Sequence, residues 1–371
     1  MKVLHIISRM NTGGPAVFLD HLTKSMTDLG TKSIIAYGYC ESNETDYTDT
    51  HKLSADLIKV KSLHRSLSPI SDLRSFFQLR RIIKNQQPDI VNTHTSKAGA
   101  LGRLATKSVN KKIPVVHTFH GHLIYGYFAK YKTFLFTLVE RFLSKFTNAA
   151  ASITNETQTS LQRLGIGKKL NWQVIQLGVP LINPVSQSVN GGDLIKLIWV
   201  GRFTDIKDPF YALDVIDKLS KAHPNKYELT MVGGGELFDQ VKNKSKNLPV
   251  KFTGWLEKPF ANAGLFDLLL LTSKNEGMGL IILEAANYSK ATIARDVGGV
   301  GEFIQDGVNG LLINGFADLM SAKISSLSGI EILNLGTAAR ETLVKDFTDK
   351  AMADKYLNLY KSLIQLQTQI R

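Results

Sequence analysis

Two carboxylates and two cations carry most of the chemistry this sequence offers. Glu276 and Glu284 bracket the stretch NEGMGLIILEAA, residues 275 to 286, a mostly apolar run broken by Gly277 and Gly279. An ionised carboxylate only accepts hydrogen bonds, through two oxygens. It repels phosphate and suits vicinal hydroxyls, such as those of ribose or a hexose. Upstream, VGRFTDIKD sets Arg202 and Lys207 directly after a strand-like run. A guanidinium gives a planar fork of donors and an ammonium gives a compact charge, a combination suited to a diphosphate. The residue types thus divide the labour: cations for phosphates, glutamates for sugar hydroxyls. Spacing alone leaves a plainer alternative open, in which Arg202 and Lys207 are exposed loop charges and Glu284 sits on the wet side of an amphipathic helix.

Other candidates also follow strand-like runs. Gly13 and Gly14 in SRMNTGGPAVF open a helix, and bare backbone at a helix N-terminus can approach an anion closely. Their spacing is not GxGxxG, so a dinucleotide fingerprint is not supported. Gly233 to Gly235 form a loop that could lie against a nucleotide. His94 ends a strand and reads as a satisfied buried histidine ahead of a catalytic one. His117, His120 and His122 crowd together in VVHTFHGH. A zinc site is conceivable there, but the stretch lacks a cysteine or carboxylate companion. A histidine donating to a substrate hydroxyl or phosphate is the preferred reading.

These residues need elements to hold them. KVLHIIS, KSIIAYG, DIVNTH, IPVVHTF, AASIT and WQVIQL read as strands, with helical patterns between them around residues 71–85, 97–108 and 131–146. Gly99 and Gly102 mark a small-residue helix able to pack closely on a sheet. Strand–helix alternation of this kind implies a parallel sheet covered on both faces. The pattern lapses at LGVPLINPVSQSVNGGD, residues 177 to 193, a linker by composition. A second series then runs through IKLIWVG, YELTMVGGG, VKFTGW, FDLLLLTS, KATIARD and GLLI. In NEGMGLIILEAA a helix starting near Gly279 puts Glu284 about two turns inside it. The expectation is an α/β protein of two Rossmann-like domains facing across a cleft, with ligands at the carboxyl ends of the strands.

Composition narrows the class. At 371 residues two domains are the natural number, and 43% hydrophobic content supports sizeable cores. Cys40 is the single cysteine, which excludes an internal disulfide framework and a cysteine zinc cluster. MKVLHIISRM reads as a strand and not as a signal peptide, and no apolar run reaches the ~18 residues of a membrane span. A net charge of +13 favours anionic partners without choosing among nucleic acid, lipid and phosphorylated substrates. Residues 123–146 interleave Lys130, Lys132, Arg141 and Lys145 with aromatics, which suits a membrane-facing surface. The alternative is a core helix with a solvated basic face.

Taken together, the motifs resemble the family 4 retaining glycosyltransferases of the GT-B fold over nearly the whole chain. The most specific is the E-x7-E pair Glu276 and Glu284, followed by DVGGVGEFIQDGVNGLLI; GGPAVF, HTSKAGALGRLA, TFHGH and VGRFTDIKD match other landmarks. The HTSKAG…HTFHGH combination looks most like members that build bacterial O-antigen and capsule. The resemblance implies that Glu276 holds donor-sugar hydroxyls and Glu284 the ribose hydroxyls. It gives the diphosphate to Arg202 and Lys207, with the Gly13–Gly14 turn approaching it through the Gly14 amide. It sets His120 against the donor sugar, the amides of Gly277, Met278, Gly279 and Leu280 against sugar and diphosphate, and the base near Gly234 and Trp255. It implies no metal or other cofactor, and the chain contains no D-x-D motif to bind one. Retention would be front-face, the leaving diphosphate helping to deprotonate the acceptor. One departure is the turn after the second glutamate, EAANYSKATIARD, which lacks the family's cysteine–glycine–x–proline turn.

The resemblance further implies that the last helix, in AMADKYLNLYKSLIQLQ, returns to the first domain. The domains are then 1–180 plus about 351–371, and 181–350. The expected protein is a cytoplasmic hexosyltransferase, peripheral on the inner membrane face. Its donor would be a nucleotide-sugar, UDP by family precedent, and its acceptor a lipid-linked or oligosaccharide glycan. Rival readings are a nucleotide-sugar epimerase, a phosphorylase lacking any lysine-cofactor signature, and a nucleic-acid-binding protein. The last leaves the glycine loops and strand-end glutamates unexplained, so nucleic acid is not expected as a partner.

Overall fold

The computed structural model describes residues 1–41, 44–121, 130–183, 194–256, 258–261 and 266–369. Its strands are β1 (Lys2–Ile7), β2 (Lys32–Tyr37), β3 (Asp56–Lys59), β4 (Ile90–His94), β5 (Val115–Phe119), β6 (Ala149–Ser152) and β7 (Asn171–Val174), then β8 (Ile195–Val200), β9 (Tyr227–Val232), β10 (Val250–Gly254), β11 (Leu268–Leu271), β12 (Ala291–Arg295) and β13 (Gly310–Ile313). The helices are α1 (Gly14–Asp28), α2 (Tyr47–Thr50), α3 (Pro69–Gln86), α4 (Ser96–Val109), α5 (Lys130–Leu143) and α6 (Asn155–Arg163), followed by α7 (Pro209–Ala222), α8 (Phe238–Lys244), α9 (Leu280–Asn287), α10 (Ala317–Ser325), α11 (Gly329–Asp346) and α12 (Asp349–Gln369). The chain divides into two compact units, Met1–Pro180 with Thr348–Arg371, and Leu181–Phe347.

In the first unit seven parallel strands run in the order β3-β2-β1-β4-β5-β6-β7. Helices cover both faces, so the central strands β4 and β5 are buried at every residue, their Asn, Thr and His included. The edge strands differ: β7 has no buried residue, and β3 is the more exposed. It lies at the sheet edge, three of its four residues are exposed, and no apolar pattern announced it. On one face Leu4, Ile6 and Val91 pack against α3 and α4. Gly99 and Gly102 let α4 come close: a Cβ at Gly99 would lie 2.5 Å from His117 Cε1, and one at Gly102 2.8 Å from Thr93 Cγ2. The other face receives α1 and α12. Tyr360 OH accepts from Asn92 Nδ2 at 2.6 Å, Tyr356 OH pairs with Thr118 Oγ1 at 3.2 Å, and Ser25 Oγ donates to Asp349 at 2.8 Å. The last helix therefore belongs with the first sheet.

The second unit repeats the plan with six parallel strands, β10-β9-β8-β11-β12-β13. β11 is Leu268–Leu271, four consecutive leucines, all buried. In each sheet the chain reverses its direction of travel beside the first strand, between β1 and β4 and between β8 and β11. Loops diverge at such a switch point and leave a crevice for ligands beyond the strand ends.

Candidate active site

At the carboxyl edge of the second sheet, the loops after β8, β9 and β10 interlock through bare backbone. A Cβ at Gly233 would lie 1.9 Å from the Gly201 carbonyl oxygen, and the residue adopts φ 130°. Gly233 donates to the Gly254 carbonyl at 2.8 Å, and Phe203 donates to that of Gly234 at 3.0 Å. This close packing sets Arg202 beside the glycine loop, where a Cβ at Gly235 would sit 3.1 Å from Arg202 Cγ. Among the described residues the Arg202 guanidinium has no hydrogen-bond or ion-pair partner. Trp255 is 57% exposed, and a Cβ on Gly234 would come within 3.1 Å of its indole nitrogen. The glycine leaves room for that ring.

Lys207 and Glu276, 69 residues apart, meet at the switch point. Lys207 Nζ donates to Glu276 Oε2 at 2.5 Å and Ser273 Oγ donates to the same oxygen at 3.0 Å. The pair is partly exposed, and such pairs contribute about 1 kcal/mol or less to stability, so its value lies in position. The buried Thr272 hydroxyl secures the backbone beneath. It accepts from Trp199 Nε1 at 2.9 Å and lies 3.0 and 2.9 Å from the carbonyls of Lys207 and Asp208. Asp208 adopts a left-handed φ of 47°, caps α7 through Tyr211 N–H, and pairs with Arg295 at 3.2 Å. Gly298 supports Glu276 from below. Its φ is 57°, and a Cβ there would lie 1.9 Å from the Glu276 carbonyl oxygen, which also accepts from Gly299 N–H at 3.2 Å.

Gly277, Met278, Gly279 and Leu280 lead from Glu276 into α9. Met278 is fully buried and pins the turn. Gly279 takes φ 82° as N-cap, and no side chain caps the helix, so its first N–H groups point out of the turn without a side-chain acceptor. Glu284 is the fifth residue of α9, just over one turn from its start and not about two. It is half-buried and has no hydrogen-bond or ion-pair partner among the described residues. Burial pushes its carboxyl up to about 7.

In the first unit Gly13 caps α1 and Gly14 begins it. A Cβ on Gly14 would meet nothing within 4 Å, so the protein's own packing does not demand glycine there. The histidines sort by sheet face. His117 faces α4: its Nδ1 lies 2.8 Å from Thr93 Oγ1. His120 emerges on the opposite face, against α1, where Phe18 meets it edge-on at 4.7 Å. His94 Nδ1 lies 2.9 Å from His120 Nε2, and His5 Nδ1 lies 3.2 Å from His94 Nε2. The crowding of His117 and His120 in sequence is therefore undone by the alternation of the strand. His122 lies outside the described residues. Among the described residues no group of three or more His, Cys, Asp or Glu side chains is arranged to hold a metal ion.

Sequence reasoning passed over Thr272, Ser273, Arg295, Gly298 and His5. The adjacent Gly298 and Gly299, shortly after β12 ends at Arg295, were a usable signal. Thr272 and His5 gave none, because their partners are distant in sequence.

Two family models match, Glycosyltransferase Family 4 over residues 12–181 and Glycosyl transferases group 1 over residues 195–329. The chain belongs to the family 4 (group 1) glycosyltransferases, a retaining family, and its two parallel-sheet units are those of the GT-B fold. It is 28% identical over 342 residues to an Escherichia coli UDP-Gal:alpha-D-GlcNAc-diphosphoundecaprenol alpha-1,3-galactosyltransferase, covering 86% of each chain. It is 22% identical to a Campylobacter jejuni alpha-1,4-N-acetyl-D-galactosaminyltransferase named for an acceptor on PP-undecaprenol, over 97% of this chain and 98% of that one. The solved structure of Anabaena HepE in complex with UDP and glucose superimposes with a TM-score of 0.78 at 18% identity, over 98% of this chain and 100% of that one.

Among the described residues no helix is long and apolar enough to cross a membrane. α5 has an unusual surface. Thr137, Glu140 and Leu143 are buried, while Phe134, Leu135, Leu138, Val139 and Phe142 are exposed. Residues 123–129 of the basic aromatic segment lie outside the described residues.

Proposed function

We propose that this protein transfers a hexose from a UDP-sugar, with retention, to a glycan carried on a lipid diphosphate in cell-surface polysaccharide synthesis. The observation that carries the reading is the Lys207–Glu276 pair at the β8/β11 switch point, with the Arg202 guanidinium, unpaired among the described residues, beside the glycine loop. A cation and a carboxylate held together suit the junction of a diphosphate with a sugar. Lys207 and Arg202 stabilise the diphosphate as the bond to the anomeric carbon breaks, and fixed charges of this kind are commonly the largest catalytic term. Glu276 takes sugar hydroxyls through Oε1, since Oε2 already accepts from Lys207 and Ser273. Glu284 takes the ribose hydroxyls. The amides from Gly277 to Leu280 hold sugar and diphosphate, and Gly234 with Trp255 holds the base. In the first unit we assign the Gly14 amide to a diphosphate and the His120 ring to a donor sugar. The new bond from the acceptor oxygen forms on the face the diphosphate leaves, and the acceptor proton passes to the departing phosphate oxygen. No step is assigned to a metal.

The UDP-Gal and diphosphoundecaprenol in the Escherichia coli relative's name support the donor and acceptor classes. The outward apolar face of α5, with Arg141 and Lys145 at its end, supports peripheral contact with an anionic membrane, where a lipid-linked acceptor resides. The test is mass spectrometry of products after a panel of UDP-sugars is offered with undecaprenyl-diphosphate glycans, in the absence of added metal. The reading expects one acceptor to gain one hexose and UDP to be released. Interconversion of the sugar nucleotides with no acceptor product would refute it.

A further inference from the structure

The row of histidines in the first unit has a direction. His5 sits in β1, His94 ends β4, and His120 follows β5. Register brings them to one face: His5 lies opposite Asn92 and His94 opposite Thr118, and each next histidine is two residues further along, on the same side of the sheet. The contacts are His5 Nδ1 to His94 Nε2 at 3.2 Å and His94 Nδ1 to His120 Nε2 at 2.9 Å, both in hydrogen-bond range. Burial keeps all three rings neutral. It holds His5 down to about 3 and His120 to about 4, and His94 well below its usual range, with His120, His5 and His117 adding to the burial effect there. Phe18 packs against both His94 and His120.

A neutral imidazole has one N–H and one lone pair. The row can therefore run only two ways. In one, every ring is protonated on Nδ1, and His120 points a free Nδ1–H outward. In the other, every ring is protonated on Nε2, and His5 keeps an Nε2–H. His5 is fully buried, and its Nε2 has no partner among the described residues. Orphaned buried N–H groups are rarer than under-used acceptors, so the first arrangement wins.

We propose that His5 and His94 are positioning residues that hold His120 with its proton on Nδ1, so that His120 meets the donor sugar as a hydrogen-bond donor. This rests on the reading of His120 as a donor-sugar residue. The row explains why a histidine on that face is backed by two others: a lone neutral imidazole would offer either nitrogen form to its ligand, whereas the row offers one.

The experiment is a long-range proton–nitrogen correlation spectrum of the full chain labelled with 15N-histidine, assigned from single substitutions, with transfer kinetics alongside. Native His5, His94 and His120 should all show protonated Nδ1 at pH 7. His94→Leu should release His120 toward the Nε2–H form and lower kcat/KM roughly tenfold, the worth of one hydrogen bond at the reacting sugar. His94→Asn, whose amide N–H replaces Nδ1–H, should restore both. His5→Phe severs the row from its other end if His94→Leu fails to fold. Native His120 protonated on Nε2 overturns the proposal. So does a His94→Leu protein in which His120 keeps its Nδ1 proton. If the spectrum is as expected but His120→Ala transfers sugar like the native enzyme, the donor reading of His120 has failed and takes the inference with it.

Discussion

Glu284→Gln should make the protein more stable and a worse enzyme, and the gain in stability should depend on pH. Glu284 is half-buried without a partner among the described residues, and burial raises its carboxyl from 4.5 to about 7. At about 1.36 kcal/mol per pH unit, that rise costs the ionised form about 3 kcal/mol. Because the residue keeps some exposure, about 2 kcal/mol is the fairer figure. The sign follows from proton linkage. Between pH 4.5 and about 7 the folded protein holds this proton and the unfolded chain has lost it, so stability falls as pH rises through that window and is level above it. Glutamine resembles the protonated carboxyl in shape and charge and has no such window. Calorimetry should show matching melting temperatures at pH 4.5. At pH 8 the variant should melt roughly 4–8 °C higher for a unit of this size. Titration with UDP-glucose, whose diphosphate stays ionised throughout, should show native affinity rising from pH 6 to 8 and the variant binding roughly tenfold more weakly, having lost one charged acceptor. A melting difference that is constant with pH, or a variant less stable at pH 8, would refute the argument that Glu284 is held ionised at a cost for its ligand.

Five further outcomes follow from the structure. Glu276→Ala should lower turnover by about 10²–10³, the usual loss for one positioned group at a developing charge, while UDP binding by thermal shift stays near native. Gly14→Ala should leave the melting temperature unchanged, since a Cβ there meets nothing, yet weaken donor binding. Gly298→Ala should instead destabilise the second unit by more than about 2 kcal/mol in urea titration, because its Cβ collides with the Glu276 carbonyl. Glu140→Ala should cost about 3–5 kcal/mol on the same measurement, since it strands the buried Arg103, whose guanidinium Glu140 meets with both oxygens at 2.9 Å; Arg103→Met with Glu140→Leu should recover most of it. Finally, the protein should sediment with phosphatidylglycerol vesicles at low salt, and Phe134→Ser with Leu138→Ser should release it; no sedimentation of the native chain would remove membrane contact from the proposed function.

What the sequence made legible depended on whether a residue's role is set by its neighbours in the chain or by its neighbours in the sheet. Buried strands such as β11 and the amphipathic α12 announced themselves, because burial on two faces or on one leaves a local pattern. β3 did not: at the sheet edge it has no apolar face to show. The paired motif of Glu276 and Glu284 was visible as spacing, but Lys207 reaches Glu276 only because β11 is threaded beside β8. Whether each glycine is demanded was equally hidden. Gly14 and Gly298 look alike in sequence, yet one has open space where a side chain would go and the other has a carbonyl oxygen at 1.9 Å. The histidines are the sharpest case. His117 and His120, three residues apart, fall on opposite faces of one sheet, whereas His5 and His94, 89 residues apart, share a hydrogen bond. Strand alternation separated the first pair and parallel register joined the second. Read along the chain, the cluster left a metal site conceivable and a substrate-donating histidine preferred; read across the sheet, His117 turns to Thr93 while His120 joins His5 and His94 in a directed row of neutral rings that ends at the one histidine assigned to the donor.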